Sequence, residues 1–205
     1  GSGGAILHYD GIGWNGVPSP TSAALFGIHG SGPTDIWAVG AAGGTTLHYD
    51  GNTWSVVPNP SMQPLRAVWS VAPTSAWAVG ALGTVLRYEG SAWKDVSNPT
   101  MRMLYGVWAA SADDVFVAGD LGAGRWRAGA WDPTLTTPPI NPAPMSPPAD
   151  LRGVWGSSAN DVYFVGPAGA LLHYNGGGFD SINVLTSATL TAIGGKSADD
   201  LWALG

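Results

Sequence analysis

Cysteine is absent from the 205 residues, which excludes disulfides, thiolate zinc sites and thiol nucleophiles together. Charge is scarce: 11% of residues are Asp, Glu, Lys or Arg, and only eight are basic against fourteen acids. With no basic run and a formal net charge of −6, the counterion release that drives nucleic-acid binding has no source, and no nucleic-acid partner is expected. Apolar runs are short as well. None approaches the roughly 18 to 20 residues that a helix needs to cross a bilayer, and no charged n-region with an apolar h-region opens the chain. The expectation is a soluble, mature or excised domain with no membrane insertion.

Turn formers, by contrast, are abundant, with 31 Gly and 16 Pro. Helix interiors cannot absorb that load, because Gly costs about 1 kcal/mol and Pro about 3 relative to Ala. An all-β chain with many turns follows. An apolar fraction of 45% and 11 Trp spread along the chain supply a core and argue against disorder.

A repeat of about 40 residues organises the whole sequence. Residues 25–39, 65–79, 104–118, 151–165 and 190–204 share one pattern: Leu, a variable residue, small and apolar residues, an aromatic, a polar turn, then a second apolar run. Each copy closes on glycine, at Gly40, Gly80, Gly119, Gly166 and Gly205. A second half-pattern follows the first four copies, as LHYDGNTW at 47–54, LRYEGSAW at 86–93, GRWRAGAW at 124–131 and LHYNGGGF at 172–179. Its fifth copy, LHYDGIGW, lies at 7–14. Joining Gly205 to Gly1 aligns the two ends with residues 38–51 without a gap.

Each unit holds four short strands, read in the first copy as Leu25 to His29, Ile36 to Val39, Thr45 to Tyr49 and Trp54 to Val57. Such units cannot bury both faces alone and stack around an axis. The pattern predicts a five-bladed β-propeller of four-stranded blades, one domain over 1–205. Its blades are 25–64, 65–103, 104–150, 151–189 and a composite of 190–205 with 1–24, which closes the ring. All eleven Trp fall at repeated strand positions, which assigns them to packing between blades.

The Tyr-Asp-Gly-x-x-Trp segment resembles kelch-type propeller repeats, and five Trp-rich blades resemble the tachylectin-type propeller lectins. The resemblance covers the chain as architecture. It differs in motif, since kelch repeats carry a Gly pair where this chain has one Gly followed by Ala41, Ala81, Asp120 or Pro167. It implies a binding scaffold and carries over no binding residue.

Catalytic chemistry finds little support. Nine of the fourteen acids, among them Asp10, Asp35, Asp50, Asp114 and Asp161, sit in repeated turns where a carboxylate accepts backbone N–H groups. Asp120 and Asp150 alone are placed to form a carboxylate pair of the kind glycosidases use. His8, His48 and His173 share one third-strand position with Arg87 and Arg125. Third strands lie two spacings of about 4.8 Å outward from the first, so these side chains stand too far apart to share a metal ion. The histidines and arginines are expected as a polar column facing a neighbouring blade or solvent. No metal, cofactor or enzymatic activity is expected.

Binding is the remaining class. The residue after the repeated Leu is Phe26, Arg66, Tyr105, Arg152 and Thr191, a column that varies while its neighbours keep their type. Aromatic and Arg groups there can stack on and hydrogen-bond a sugar or a peptide. Asp120 and Asp150 border the same face. A Pro-rich stretch at 132–150 is extended and unable to pair as a strand. The expected function is a monomeric, lectin-like, carbohydrate-binding propeller, secreted or at the cell surface. The alternatives are a protein-interaction or structural module of a larger extracellular protein and, third, a glycoside hydrolase.

Overall fold

The structure is a computed structural model that describes residues 1–97, 102–120, 122–135 and 150–205. It is all-β and falls into two compact units, Gly1–Ser97 and Asn98–Gly205.

The first unit begins with a two-stranded antiparallel sheet, β1 (Ile6–Tyr9) and β2 (Trp14–Val17). A four-stranded sheet follows, with β3 (Leu25–Gly32), β4 (Asp35–Gly40), β5 (Thr46–Tyr49) and β6 (Trp54–Val56) in sequential antiparallel order. A second sheet repeats it with β7 (Leu65–Ala72), β8 (Ser75–Gly80), β9 (Val85–Tyr88) and β10 (Trp93–Asp95). The other unit holds β11 (Leu104–Ser111), β12 (Asp114–Gly119), β13 (Gly122–Arg127) and β14 (Ala130–Trp131) in one sheet. Its second sheet contains β15 (Gly153–Ser158), β16 (Asp161–Val165), β17 (Leu171–Tyr174) and β18 (Phe179–Ser181), and a two-stranded sheet of β19 (Ala192–Ser197) and β20 (Asp200–Leu204) ends the chain. Of the strands that the repeat assigns to one composite sheet, β1 and β2 belong to the first unit and β19 and β20 to the second.

Both faces of a full sheet are apolar because both are covered. Trp37 and Leu47 lie on opposite faces of the β3–β6 sheet, and each is fully buried. On one side the Trp37 indole meets Tyr88 at 4.6 Å and Trp93 edge-on at 4.9 Å, both from the β7–β10 sheet. On the other, Ala38 and Leu47 pack with Ile6 and Leu25. Aromatic pairs of this kind contribute about 0.5–1.5 kcal/mol beyond the area they bury. In the second unit Phe116 takes the place of Trp37 and reaches Tyr174 of the next sheet at 5.5 Å.

The repeated Tyr-Asp/Asn-Gly segment is the turn between third and fourth strands. Asp10 and Asp50 each accept two backbone N–H groups at 2.8–2.9 Å, and Asn175 does the same at 3.0 Å. The preceding tyrosine hydroxyl donates to the carbonyl of Gly11, Gly51 or Gly176, whose φ of 96°, 99° and 90° is open to glycine.

The closing glycines have a different cause, which is space. The residue after each one donates its N–H to the carbonyl just before the first strand: Ala41 to Ala24 at 2.9 Å, Ala81 to Pro64 at 3.0 Å and Asp120 to Met103 at 3.0 Å. A Cβ on Gly40, Gly80 or Gly119 would stand 2.3, 2.0 or 2.3 Å from that same carbonyl oxygen. Gly80→Ala is therefore expected to destabilise the first unit by about 1–3 kcal/mol, the usual cost of overpacking. Gly32→Ala, whose Cβ meets nothing within 4 Å, is expected to change it little. Urea denaturation of the two variants checks the contrast.

Candidate functional site

Each first strand of the first three full sheets starts with a β-bulge, and the variable column sits on it. Leu25, Leu65 and Leu104 pair with the closing glycines Gly40, Gly80 and Gly119, and pairing resumes at Gly27, Ala67 and Gly106. Phe26, Arg66 and Tyr105 are the residues the ladder leaves out. A bulge re-aims the side chain it carries, which is why this position escapes the packing rule that fixes its neighbours. Small residues follow because adjacent first strands lie close together. A Cβ on Gly27 would come within 2.9 Å of the Arg66 carbonyl oxygen, and one on Gly153 within 3.2 Å of the Ala192 Cα.

That close approach pairs the column residues within each unit. The Arg66 guanidinium lies 4.5 Å above the Phe26 ring, which is 45% exposed. In the second unit Arg152 lies 4.0 Å above the Tyr105 ring. Arg152 also stands 3.8 Å from the Asp150 carboxylate. Burial and a hydrogen bond to Asp120 raise the Tyr105 hydroxyl above the ordinary phenol value, with Arg152 opposing, so it remains a donor at neutral pH. Asp120 also accepts the Met103 N–H at 3.4 Å. The two expected carboxylates thus border one cluster, on either side of the Tyr105–Arg152 pair. Thr191 joins no such pair: its backbone and hydroxyl donate to the Leu204 carbonyl at 2.7 and 3.4 Å. The Pro-rich stretch lies outside the described residues over 136–149.

The third-strand column is corrected in one respect. It does not merely face a neighbour or solvent, and the aspartates opening the second strands are not only turn acceptors. Asp35 binds His48 Nε2 at 2.8 Å, Asp161 binds His173 Nε2 at 2.7 Å, and Asp114 takes both Nε and Nη2 of Arg125 at 2.7 Å. Arg125 continues to the Tyr174 hydroxyl of the next sheet at 3.0 Å. In the β7–β10 sheet Ser75 replaces the aspartate, and Arg87 lies 3.4 Å from Glu89 instead. The signal was present inside the repeat, since His or Arg follows wherever Asp opens the second strand. Among the described residues, no three His, Asp or Glu side chains are grouped to hold a metal ion.

In the first unit this pair is part of a longer network. Asp35 also accepts Ser31 and Ser70 hydroxyls at 2.6 Å each, and Ser70 comes from the neighbouring sheet. Burial pushes the Asp35 carboxyl up, but the bonds from Ser31, Ser70 and His48 outweigh it and hold it below the ordinary value. The Ser70 N–H donates to His29 Nδ1 at 3.0 Å, with the His29 ring stacked on Trp69 at 3.8 Å.

No protein-family model matches the chain, and no curated protein does. Solved structures do match. YCF48 from Cyanidioschyzon merolae aligns with a TM-score of 0.65 at 21% identity, over 87% of this chain and 62% of that one. A structure of YCF48 bound to D1 peptide aligns with a TM-score of 0.55 at 16% identity, over 100% and 83%. The WD40 repeats of RRP9 align at 0.70 with 9% identity, over 92% of this chain and 60% of theirs. U3-55K aligns at 0.73, also with 9% identity, over 96% and 65%. The chain therefore spans less than two thirds of several of these proteins. The likeness establishes a β-propeller fold built of four-stranded antiparallel repeats. These neighbours are WD40 and YCF48 propellers, and they lend no support to a kelch-like or tachylectin-type assignment.

Acceptance at Nδ1 requires a neutral His29 ring, and burial lowers its pKa from the ordinary 6.5, with Asp35 opposing. A base whose folded pKa is depressed contributes stability that is fully present above the unfolded value. That contribution is lost as pH falls through about 6.5 toward the folded value, at up to about 1.4 kcal/mol per pH unit. Melting temperatures at pH 7.5 and 5.5 are expected to differ less in His29→Gln than in the parent protein.

Proposed function

We propose that the chain is a non-enzymatic propeller that binds a protein or peptide through the arginine–aromatic pairs Phe26–Arg66 and Tyr105–Arg152. The observation that carries this reading is the placement of Phe26, Arg66 and Tyr105 on the unpaired residue of a bulge, with Arg152 drawn over Tyr105 from the position just before β15. Arg and aromatic groups dominate the energetics of protein interfaces. A guanidinium held over a ring still has N–H donors to offer a carboxylate or a peptide carbonyl. A propeller of the same fold bound to a peptide, YCF48 with D1 peptide, supports the reading. A sugar would need the aromatic faces that Arg66 and Arg152 overlie, which favours a protein ligand over carbohydrate.

The architecture belongs to the same proposal. Four complete blades are accompanied by two half-sheets, β1–β2 and β19–β20, which we read as the divided fifth blade of a five-bladed plan.

Screening the purified protein against a displayed peptide library, then measuring the best ligands by calorimetry, tests the binding. Arg66→Ala and Arg152→Ala are each expected to weaken capture about tenfold or more, the range of interface hot spots. Phe26→Ala is expected to act in the same direction as Arg66→Ala. Unchanged affinity in the Arg66→Ala, Arg152→Ala double variant, with melting temperature preserved, would remove the site from consideration.

A further inference from the structure

We infer that the Phe26–Arg66 pair and the exposed Leu82 beside it form one subsite for an acidic peptide segment, in which an Asp or Glu side chain meets Arg66 and a neighbouring apolar side chain packs on Leu82. The inference rests on the peptide-binding reading above and concerns the first unit alone.

Leu82 is held in a conformation that leucine disfavours. The turn before the third strand recurs as residues 2–4, 42–44, 81–83 and 167–169, and its middle residue is left-handed each time, with φ of 62° at Gly3 and 56° at Gly43, Leu82 and Ala168. Glycine enters this region freely, whereas a Cβ crowds the backbone there. Of these four turns, only 81–83 places a long side chain at that position. Three backbone bonds hold it in place: the Gly80 N–H donates to the Thr84 carbonyl, the Thr84 N–H to the Ala81 carbonyl and the Ala81 N–H to the Pro64 carbonyl, all at 3.0 Å. Burial does not offset the strain, since Leu82 is 70% exposed. Strain retained at an exposed position points to a role outside the fold.

The same turn sets Leu82 near the arginine. Leu65 pairs with Gly80 at the end of the β7–β8 ladder, Arg66 is the bulge residue after Leu65, and Leu82 stands two residues beyond Gly80. Both lie at one corner of one sheet, and both are exposed. Met62, 78% exposed, stands at the same end on the loop leading into β7. That loop is fixed by the Ser61 N–H bond to Asn59 Oδ1 at 2.9 Å and the Gln63 N–H bond to Ser61 Oγ at 3.0 Å. A single exposed apolar residue is ordinary on a protein surface. Phe26, Met62 and Leu82, at the same sheet ends as one cation and on tied backbone, make a surface already organised for a ligand.

Charge identifies the occupant. Arg87, Arg125 and Arg152 each face a carboxylate of their own chain. Among the described residues Arg66 has none within ion-pair distance, so a ligand carboxylate gains a charge-assisted hydrogen bond there without displacing one.

Panning a displayed random-peptide library on the full chain, followed by calorimetry with the enriched peptides made synthetically, tests this. Enriched sequences are expected to carry Asp or Glu with Leu, Ile, Met or Phe within about three residues, the reach of an extended segment across one sheet corner. Changing the ligand's acid to its amide is expected to weaken binding to the parent about tenfold and to add little to the loss in Arg66→Ala, as for groups in direct contact. Leu82→Gly is expected to weaken binding about fivefold or more. Its melting temperature is expected to stay the same or rise, because glycine removes the strain, and a purely structural role for Leu82 would lower it. Leu82→Asn, which also tolerates the left-handed region, is expected to behave alike. Parent affinity in both Leu82 variants, or enriched peptides with no acidic bias, would overturn the subsite, while capture that depends on Arg66 and Arg152 would keep the peptide reading in place. A parent protein that captures no peptide would end that reading and this inference together.

Discussion

A four-stranded sheet with apolar side chains on both faces has to be covered twice, and that requirement governs this protein. Trp37 needs the next sheet's Tyr88 and Trp93, while Leu47 on the reverse face needs Ile6 and Leu25. Neither face can be left wet: removing a Trp or Leu side chain from water contributes about 1.5–3 kcal/mol for a fully buried aliphatic and more for a larger ring. Stability is then a sum over sheets and their neighbours, as in other repeat proteins. The exposed Trp14 and Trp202 mark where the sum is unfinished.

The same close stacking determines which side chains are free to project. Sheets approach so tightly at their first strands that the residues facing one another are glycine or alanine, and the closing glycines touch the carbonyl that precedes the first strand of their own sheet. Side chains in the ladder have no freedom there. In the first three full sheets the bulge supplies one residue of the first strand that is exempt, so there the position that is free to vary and the position that projects are the same. Phe26, Arg66 and Tyr105 could be singled out in the sequence by their variation alone. The bulge that explains the variation needs the pairing register.

Much of the fold was legible because it is repeated. The four strands of the first copy lie within a few residues of their expected limits. The first strand runs on to Gly32 because its second bulge keeps it paired with β4 past Gly30. The carboxylates were harder. Asp10 and Asp50 do cap turns, as their spacing suggested, whereas Asp35, Asp114 and Asp161 look alike in sequence but turn toward the third strand. Only the opposition of second-strand and third-strand residues separates the two roles. The composite sheet could be drawn from sequence because its halves align without a gap. The kelch-type resemblance gains no support from the structural neighbours for a related reason: a Tyr-Asp-Gly turn answers to local backbone geometry, which unrelated propellers share.

Charge separates the two arginine–aromatic pairs that otherwise look equivalent. Among the described residues Arg66 has no carboxylate within ion-pair distance, so its guanidinium over Phe26 is an uncompensated cation on an apolar floor. Arg152 sits between Asp150 at 3.8 Å and the Tyr105 hydroxyl, which is itself bound to Asp120. An acidic side chain approaching the first pair gains a charge-assisted bond without displacing a partner. Approaching the second, it has to compete with two carboxylates already in place. On the proposed peptide-binding reading, the first unit's pair favours an acidic group in the ligand, and the second unit's pair favours neutral donors and acceptors that fit around an existing ion pair. One repeated backbone position thus presents two different chemistries, and the difference arises from two aspartates outside the strands.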